Sequence, residues 1–413
     1  MEGDHIAINR WLTPLSCIYG FGVWVRNLLF DTEVLKSRKY DVPVISVGNI
    51  TVGGAGKTPH VEYLVSLLHN RVKTVVLSRG YKRKSKGFVL GKYSTPISEI
   101  GDEPYQIQKK FPDIHVAVDA DRCHGIDTLL TLPETKDMGV VLLDDAYQHR
   151  YVKPGINILL TDYYRIITDD KLLPAGRLRE PVSAKDRADI VIVTKCPADM
   201  NPMAYRVLQR SMNLYPFQHL FYTTIKYRPL APLFIEARPL VQPDFNDKSS
   251  VTRANMLPHV LLITGIASPR HLMEYLKDYC QSITHISFPD HHEFTPSDTE
   301  SINFAYKMQK KPCIIITTEK DAMRMMELKG LSKGVRENLY YLPIEVQFLQ
   351  GEEEKFNQII LDYVRKYKAN DRMAQATNPV ASPNSLPPTD SNNLGHGTGY
   401  SGRSDRDLFG NPL

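Results

Sequence analysis

Short apolar runs alternate with helical stretches over residues 42–197. The runs are VPVISVG, KTVVLSRG, IHVAVD, GVVLLDD, INILLTD and DIVIVTKC. Val/Ile/Leu runs of this length suit strands covered on both faces, so they predict a parallel sheet with helices packed on each side. After the first run, Val61, Leu64, Val65 and Leu68 recur at i, i+3, i+4 and i+7 and predict an amphipathic helix. Residues 197–257 are irregular and rich in Pro and aromatics, and LFYTTIKYRPLAPLFI within them reads as a hairpin or connector. A second α/β pattern runs through HVLLITGIASP, ITHISFPD and CIIITTEKD and closes with the helical EEKFNQIILDYVRKY. Residues 369–413 hold 21 Gly, Pro, Ser and Asn with no apolar period, the composition of a disordered tail.

The chain starts differently. Across residues 11–30 the only charge is Arg26, and both tryptophans, Trp11 and Trp24, lie there. A helix after Pro14 would carry a broad apolar face (Leu15, Ile18, Tyr19, Val25, Leu29) and a narrow polar stripe (Thr13, Ser16, Asn27). Pro14, Gly20, Gly22, Arg26 and Asn27 argue against a bilayer span. Two readings remain open, a helix packed on the protein's own core and an interfacial helix lying on a membrane. The expected organisation is a helix at 1–30, a first α/β domain at 31–222, a connector at 223–257, a second α/β domain at 258–368 and a tail at 369–413.

Composition narrows the function classes. The chain has 413 residues and is 42% hydrophobic, enough for packed cores and too much for general disorder. With 51 Lys+Arg against 46 Asp+Glu, the net charge of +5 is mild for a protein that coats nucleic acid. The five cysteines are scattered without a C-x-x-C pair, so buried free thiols are expected rather than a zinc site. No signal-peptide pattern is apparent in the first residues, which include Glu2 and Asp4.

The sharpest local signal is SVGNITVGGAGKTPHVEYLVSLL, where an apolar strand enters a glycine-rich turn and then a helix. Glycines let successive backbone N–H groups converge on phosphate oxygens, and a helix N-terminus adds positive potential. Thr51, Val52, Gly53, Gly54, Ala55, Gly56, Lys57 and Thr58 are thus expected to cradle a nucleoside triphosphate, with Lys57 on the β/γ-phosphates and Thr58 on Mg²⁺. Thr51 stands where the strict phosphate-loop pattern has its first Gly. VVLLDDAYQHR delivers Asp144 and Asp145 to the C-terminal end of a buried strand, where a metal-holding acid belongs. Residues 71–92 contain eight Lys/Arg and no acid, and Arg79, Lys82 and Arg83 are expected to meet a second anionic group. Asp102 and Glu103 open a helix at GDEP, where an acid can serve as a cap or accept a hydroxyl proton. LLPAGRLREP sets Arg179 beside Glu180 in a loop, either a charge stabiliser or a surface ion pair. SFPDHHEFTPSD groups Asp290, His291, His292 and Glu293, and TTEKD follows a strand with no role evident from sequence.

The ordered set GNITVGGAGKTP, RGYKRK, GDEP, DDAYQH, GRLREP, PDHHEF and TTEKD resembles the tetraacyldisaccharide 4′-kinases of lipid A biosynthesis, from the apolar start to about residue 366. The resemblance implies two α/β/α domains, the first a P-loop NTPase-like parallel sheet, with the active site between them. It implies transfer of the ATP γ-phosphate to the 4′-hydroxyl of a tetraacylated glucosamine disaccharide 1-phosphate, with Mg²⁺, at the cytoplasmic face of a bacterial inner membrane. It makes Asp102 the base for the sugar hydroxyl and His291 its assistant. Lys57 and Thr58 match the phosphate-loop pair, Asp144 and Asp145 the metal-site acids, and Arg179 and Glu180 a catalytic-cleft pair. Arg79, Lys82, Arg83, Gln148 and His149 are assigned to the lipid substrate, whose 1-phosphate would meet the basic loop. No nucleic-acid partner and no obligate protein partner are implied. Ala146 departs from the usual Gly of the family's motif, and the polar tail is extra.

Overall fold

The computed structural model describes residues 8–237, 258–266, 269–290 and 292–377, with side chains through residue 367. The helices used below are α1 (Thr13–Asp31), α2 (Lys57–Leu68), α3 (Asp102–Lys110), α4 (Arg122–Thr131), α5 (Pro202–Met212), α6 (Arg270–Lys277), α7 (Pro296–Met308), α8 (Glu319–Met325) and α9 (Glu353–Thr377). The strands are β1 (Val44–Gly48), β2 (Thr74–Ser78), β3 (Val89–Leu90), β4 (His115–Val118), β5 (Val140–Asp144), β6 (Ile156–Asp162) and β7 (Ile190–Thr194). They continue with β8 (His219–Tyr227), β9 (Ala231–Pro232), β10 (His259–Thr264), β11 (Ser282–Ser287), β12 (Cys313–Thr318), β13 (Leu339–Leu342) and β14 (Ile344–Phe348).

A nine-stranded sheet runs in the order β14-β8-β7-β6-β1-β5-β2-β4-β3. All neighbours from β8 to β4 are parallel, and only the edges β14 and β3 are antiparallel. The six apolar runs expected as strands supply β1, β2, β4, β5, β6 and β7, and β1, β2, β5 and β7 are buried at every position. Helix α2 lays Val61, Leu64, Val65 and Leu68 on this sheet, as their spacing requires. The second sheet runs β11-β10-β12-β13-β9, with β9 antiparallel to β13 and the rest parallel.

Two sequence readings change. Of the two readings of LFYTTIKYRPLAPLFI, the connector holds and the hairpin does not, because β8 pairs in parallel with β7 and antiparallel with the distant β14, whereas β9 joins the smaller sheet. The chain crosses between sheets after β8 and again after β13, and Arg228 N donates to Pro343 O at 2.9 Å where the crossings meet. The segment read as the close of a second domain also returns to the larger sheet. Its β14 pairs with β8, and Phe356, Ile360 and Val364 of α9 pack in one cluster with Ile45 and Val47 of β1. Amphipathic spacing says that α9 has an apolar face but not which sheet covers it. Helix α9 runs to Thr377, past the expected tail boundary at 369, and residues 378–413 lie outside the described residues. Both sheets belong to one compact unit, Met1–Asp371.

Helix α1 faces the wrong way for a core helix. Ser16 of the polar stripe is buried, accepting from Ala175 N at 2.9 Å and donating to Leu172 O at 3.0 Å. Trp11, Leu15, Ile18, Phe21 and Trp24 are 93%, 53%, 71%, 65% and 55% exposed. The core-packing alternative therefore fails for most of the apolar face. Cys196, Cys280 and Cys313 are buried thiols as expected, whereas Cys17 is exposed on α1.

Candidate active site

The site forms where the C-terminal ends of β1, β2 and β5 meet. Their register sets Val47 beside Asp144, so the glycine turn and the paired acids start from neighbouring strand ends. Gly53 and Gly56 take φ of +117° and +80°, conformations that a side chain would strain, and Gly56 is the N-cap of α2. The loop is held from below. Thr194 Oγ1 donates to Ala55 O at 3.0 Å, and Lys195 Nζ reaches Gly54 O and Asp162 at 2.5 and 2.7 Å. His60 bridges Gly56 O and Thr223 Oγ1 at 2.7 and 3.1 Å, and burial pushes its imidazole down to about 4, which keeps it neutral.

The GRLREP loop is zipped along this turn by backbone bonds. Val52 N donates to Arg177 O at 2.8 Å, Arg179 N to Ile50 O at 2.7 Å, and Thr51 bridges Leu178. Thr51, the position that breaks the strict pattern, therefore serves as a seam between the two loops. The pairing aims Arg179 into the site, where Nη2 lies 2.6 Å from Asn49 Oδ1 and 3.5 Å from Asp145 Oδ1. Lys57 Nζ lies 3.6 Å from the same Asp145 oxygen and 3.5 Å from Asn49 Oδ1. Two cations and an anion thus converge at the mouth of the phosphate turn.

Asp144 is the acid that needs a partner. It is fully buried, accepts from Ser78 Oγ at 3.1 Å through Oδ2, and its Oδ1 has no hydrogen-bond partner. Burial first, then Glu103 and Asp145, push its carboxyl up to about 7, partly offset by Lys57. A buried carboxylate oxygen without a donor, with two further acids around it, fits a cation. Asp144, Asp145 and Thr58, at the first turn of α2, are the residues able to hold Mg²⁺, with the charge of Glu103 within electrostatic reach of Asp144. Asp145 takes the left-handed conformation at φ +47°, and Ala146 is not among the positive-φ residues, so the Gly-to-Ala departure puts no strain on this turn.

Several expected site residues turn elsewhere. Arg179 and Glu180 do not form a pair. Glu180 is 1% exposed and bonds Arg187, with Arg26 of α1 at 3.6 Å from its other oxygen. Arg26 also donates to Gln148 O, and Tyr19 Oη donates to Arg179 O at 2.9 Å, so α1 is fastened directly to the site loops. Gln148 gives its amide N–H to Asn49 O. The Arg83 guanidinium is used by Gly87 O and Ser85 Oγ of its own loop, at 2.5 and 3.2 Å, and by Val118 O at the end of β4, at 3.3 Å. Arg79 and Lys82 stay exposed, and Arg79 lies within electrostatic reach of Arg122 and His149. His149 is held down to about 4 by burial and then by Arg122, and its buried Nε2 has no hydrogen-bond partner.

Asp102 is not a cap. The N-cap of α3 is Gly101, and the Asp102 carboxylate is gripped by Arg324 of α8. His291 lies outside the described residues. Its neighbour His292 pairs with Asp298 at 2.8 Å and stacks on Phe288. Asp121, Cys123 and His149 bring potential ligand atoms within 4.8 Å of one another. However, Asp121 Oδ1 already caps α4, and Arg122, Arg26 and Arg79 around His149 repel a cation. Sequence reasoning missed Asn49, Ser78 and Arg122. Ser78 ends β2 and Asn49 directly follows β1, beside the recognised motifs, the one signal that could have found them.

A family model described as Tetraacyldisaccharide-1-P 4'-kinase matches residues 8–365. A Phocaeicola vulgatus protein named tetraacyldisaccharide 4'-kinase is 53% identical over 375 residues, covering 91% of this chain and 100% of its own. Its Bacteroides thetaiotaomicron namesake is 48% identical over 381 residues, covering 92% of this chain and 99% of its own. A crystal structure of LpxK from Aquifex aeolicus, described as in complex with ATP, superposes with a TM-score of 0.63 at 30% identity. That match covers 86% of this chain and 98% of the other. With the family model matching residues 8–365 and a relative 53% identical over 91% of the chain, the chain belongs to the tetraacyldisaccharide 4′-kinase family.

Proposed function

We propose that the protein transfers the γ-phosphate of ATP to the 4′-hydroxyl of a tetraacylated glucosamine disaccharide 1-phosphate. The convergence of Lys57, Arg179 and the acid pair at the phosphate turn carries this reading. Phosphoryl transfer is mostly positioning and charge stabilisation, and these side chains supply both. Lys57 and the N-terminus of α2 orient the β/γ-phosphates, and Arg179 faces the oxygens on which negative charge spreads. Mg²⁺ held by Asp144, Asp145 and Thr58 would neutralise phosphate charge. The 4′-oxygen bonds to the γ-phosphorus as the bond from phosphorus to the β–γ bridging oxygen breaks. Asp102 takes the hydroxyl proton, and ADP leaves with the electron pair. With ATP and the disaccharide 1-phosphate, mass spectrometry is expected to find one added phosphate on the lipid. Acceptor-independent GTP hydrolysis without that product would overturn the reading.

The acceptor's acyl chains keep it in a bilayer, so the enzyme must work at the surface. No helix among the described residues is long and apolar enough to cross a membrane. Helix α1 suits a peripheral position instead, at the cytoplasmic face of the inner membrane where ATP is available. Leu15, Ile18, Phe21 and Trp24 point outward, while Arg26 and Tyr19 hold the DDAYQH and GRLREP loops. Each large side chain is worth about 1.5–3 kcal/mol when fully withdrawn from water. Charging Ile18 and Phe21 (Ile18→Glu, Phe21→Glu) is expected to cut co-sedimentation with anionic phospholipid vesicles at least about tenfold. Turnover on detergent-dispersed acceptor should be kept. Unchanged vesicle binding would remove α1 from the membrane face.

A further inference from the structure

The TTEKD motif, for which the sequence offers no role, ends in a device that reaches across the molecule. Thr318 caps α8, and Asp321 at its start is fully buried. One Asp321 oxygen, Oδ2, accepts from Gly265 N at 2.8 Å and Thr318 Oγ1 at 2.7 Å, which ties the ends of β10 and β12 together. The other, Oδ1, accepts from Arg324 Nη1 at 3.1 Å. Arg324, itself 9% exposed, turns the rest of its guanidinium to Asp102, 222 residues earlier in the chain. Its Nε lies 3.1 Å from Asp102 Oδ2, and Nη2 bonds the same oxygen.

These charges sit on a seam that packs apolar side chains and also carries the ion pair of Lys110 with Glu319 at 2.9 Å. Ile100 and Tyr105 beside Asp102 pack in one cluster with Ala322, Met323 and Met325 around Arg324. Apolar side chains can hold α3 against α8 as well, because the desolvation cost of burying charges offsets their mutual attraction. What the guanidinium adds is direction. A planar fork anchored on one side by a fixed carboxylate fixes where one oxygen of the other carboxylate, Asp102 Oδ2, sits.

We propose that Arg324, anchored by Asp321, is a positioning residue that holds the Asp102 carboxylate in the orientation needed to receive the acceptor's hydroxyl proton. The inference rests on the reading of Asp102 as that proton acceptor. Positioned bases contribute about 10²–10⁴-fold, and Arg324→Gln is expected to forfeit about ten- to a hundredfold of kcat. KM for ATP should stay within about twofold, since Arg324 acts through the Asp102 carboxylate it bonds. Arg324→Lys keeps the charge but not the fork, so its kcat should fall by about threefold or more yet exceed that of the Gln variant. In an Asp102→Asn background, Arg324→Gln should change kcat by less than about twofold, because the two residues act as one unit. Thermal midpoints are measured alongside, and if the Gln variant is unfolded the Lys variant decides. Wild-type kcat in either folded Arg324 variant, with Asp102→Asn impaired, would overturn the positioning role and leave the Asp102 reading standing. An equal loss from Arg324→Gln in the Asp102→Asn background would overturn it too. Wild-type kcat in Asp102→Asn alone would remove the reading of Asp102 and this inference with it.

Discussion

Lys57→Ala is expected to lower kcat/KM for phosphoryl transfer by about 10²–10³-fold while barely moving the thermal midpoint. Both contacts of the ammonium, to Asp145 and Asn49, are long at 3.6 and 3.5 Å, so Lys57 is poised for a phosphate rather than committed to the fold. Ion pairs of this length near a surface are worth about 0–1 kcal/mol, which bounds the stability change. The substitution therefore separates catalysis from folding. Steady-state kinetics with a melting curve on the same preparation checks it, and near wild-type turnover would exclude Lys57 from phosphate positioning.

Asp144→Asn should have the opposite signature on stability. The buried carboxyl is pushed up to about 7 from an ordinary value near 4, so its protonated form favours the fold. That contribution is complete below about pH 4 and is lost as pH rises through about 7. An amide of the same shape never charges and can still accept from Ser78. The Asn variant should match the wild type near pH 4 and melt progressively higher than it up to pH 8, in buffer with a chelator. Its kcat should nevertheless fall by about 10²–10³-fold, because the buried anion that fits the cation is gone. A stabilised, inactive protein is the mark of a charge kept for function rather than for folding. A variant that is destabilised at pH 8, or retains catalysis, would contradict this account of Asp144.

Much of this site is legible in the chain because its parts are local. A strand end, a glycine turn and a helix start are contiguous, so residues 51–58 announce themselves. Asp144 and Asp145 follow directly from a run that can only be a buried strand. Side-chain direction is less legible. Arg179 and Glu180 are adjacent in sequence, which invites reading them as a pair, yet the first turns to Asp145 and the second inward to Arg187. Gln148 and Arg83 carry the right chemistry for a ligand but are used by nearby backbone carbonyls. Nothing in composition distinguishes a cation awaiting a phosphate from one already satisfied by its own loop.

The sequence alone determined the parallel strands, the phosphate turn and the apolar start, because each is set by residue type and spacing over a few turns of chain. Only the tertiary structure decided that β14 and α9 return to the larger sheet, since an apolar face does not name its partner. It alone turned α1 inside out, with Ser16 buried and Trp11 and Trp24 exposed. It also joined Asp102 to Arg324 over 222 residues, a contact with no local signature at either end. Local patterns follow from the chemistry of neighbours in the chain, whereas these choices follow from which surfaces meet when the whole chain closes.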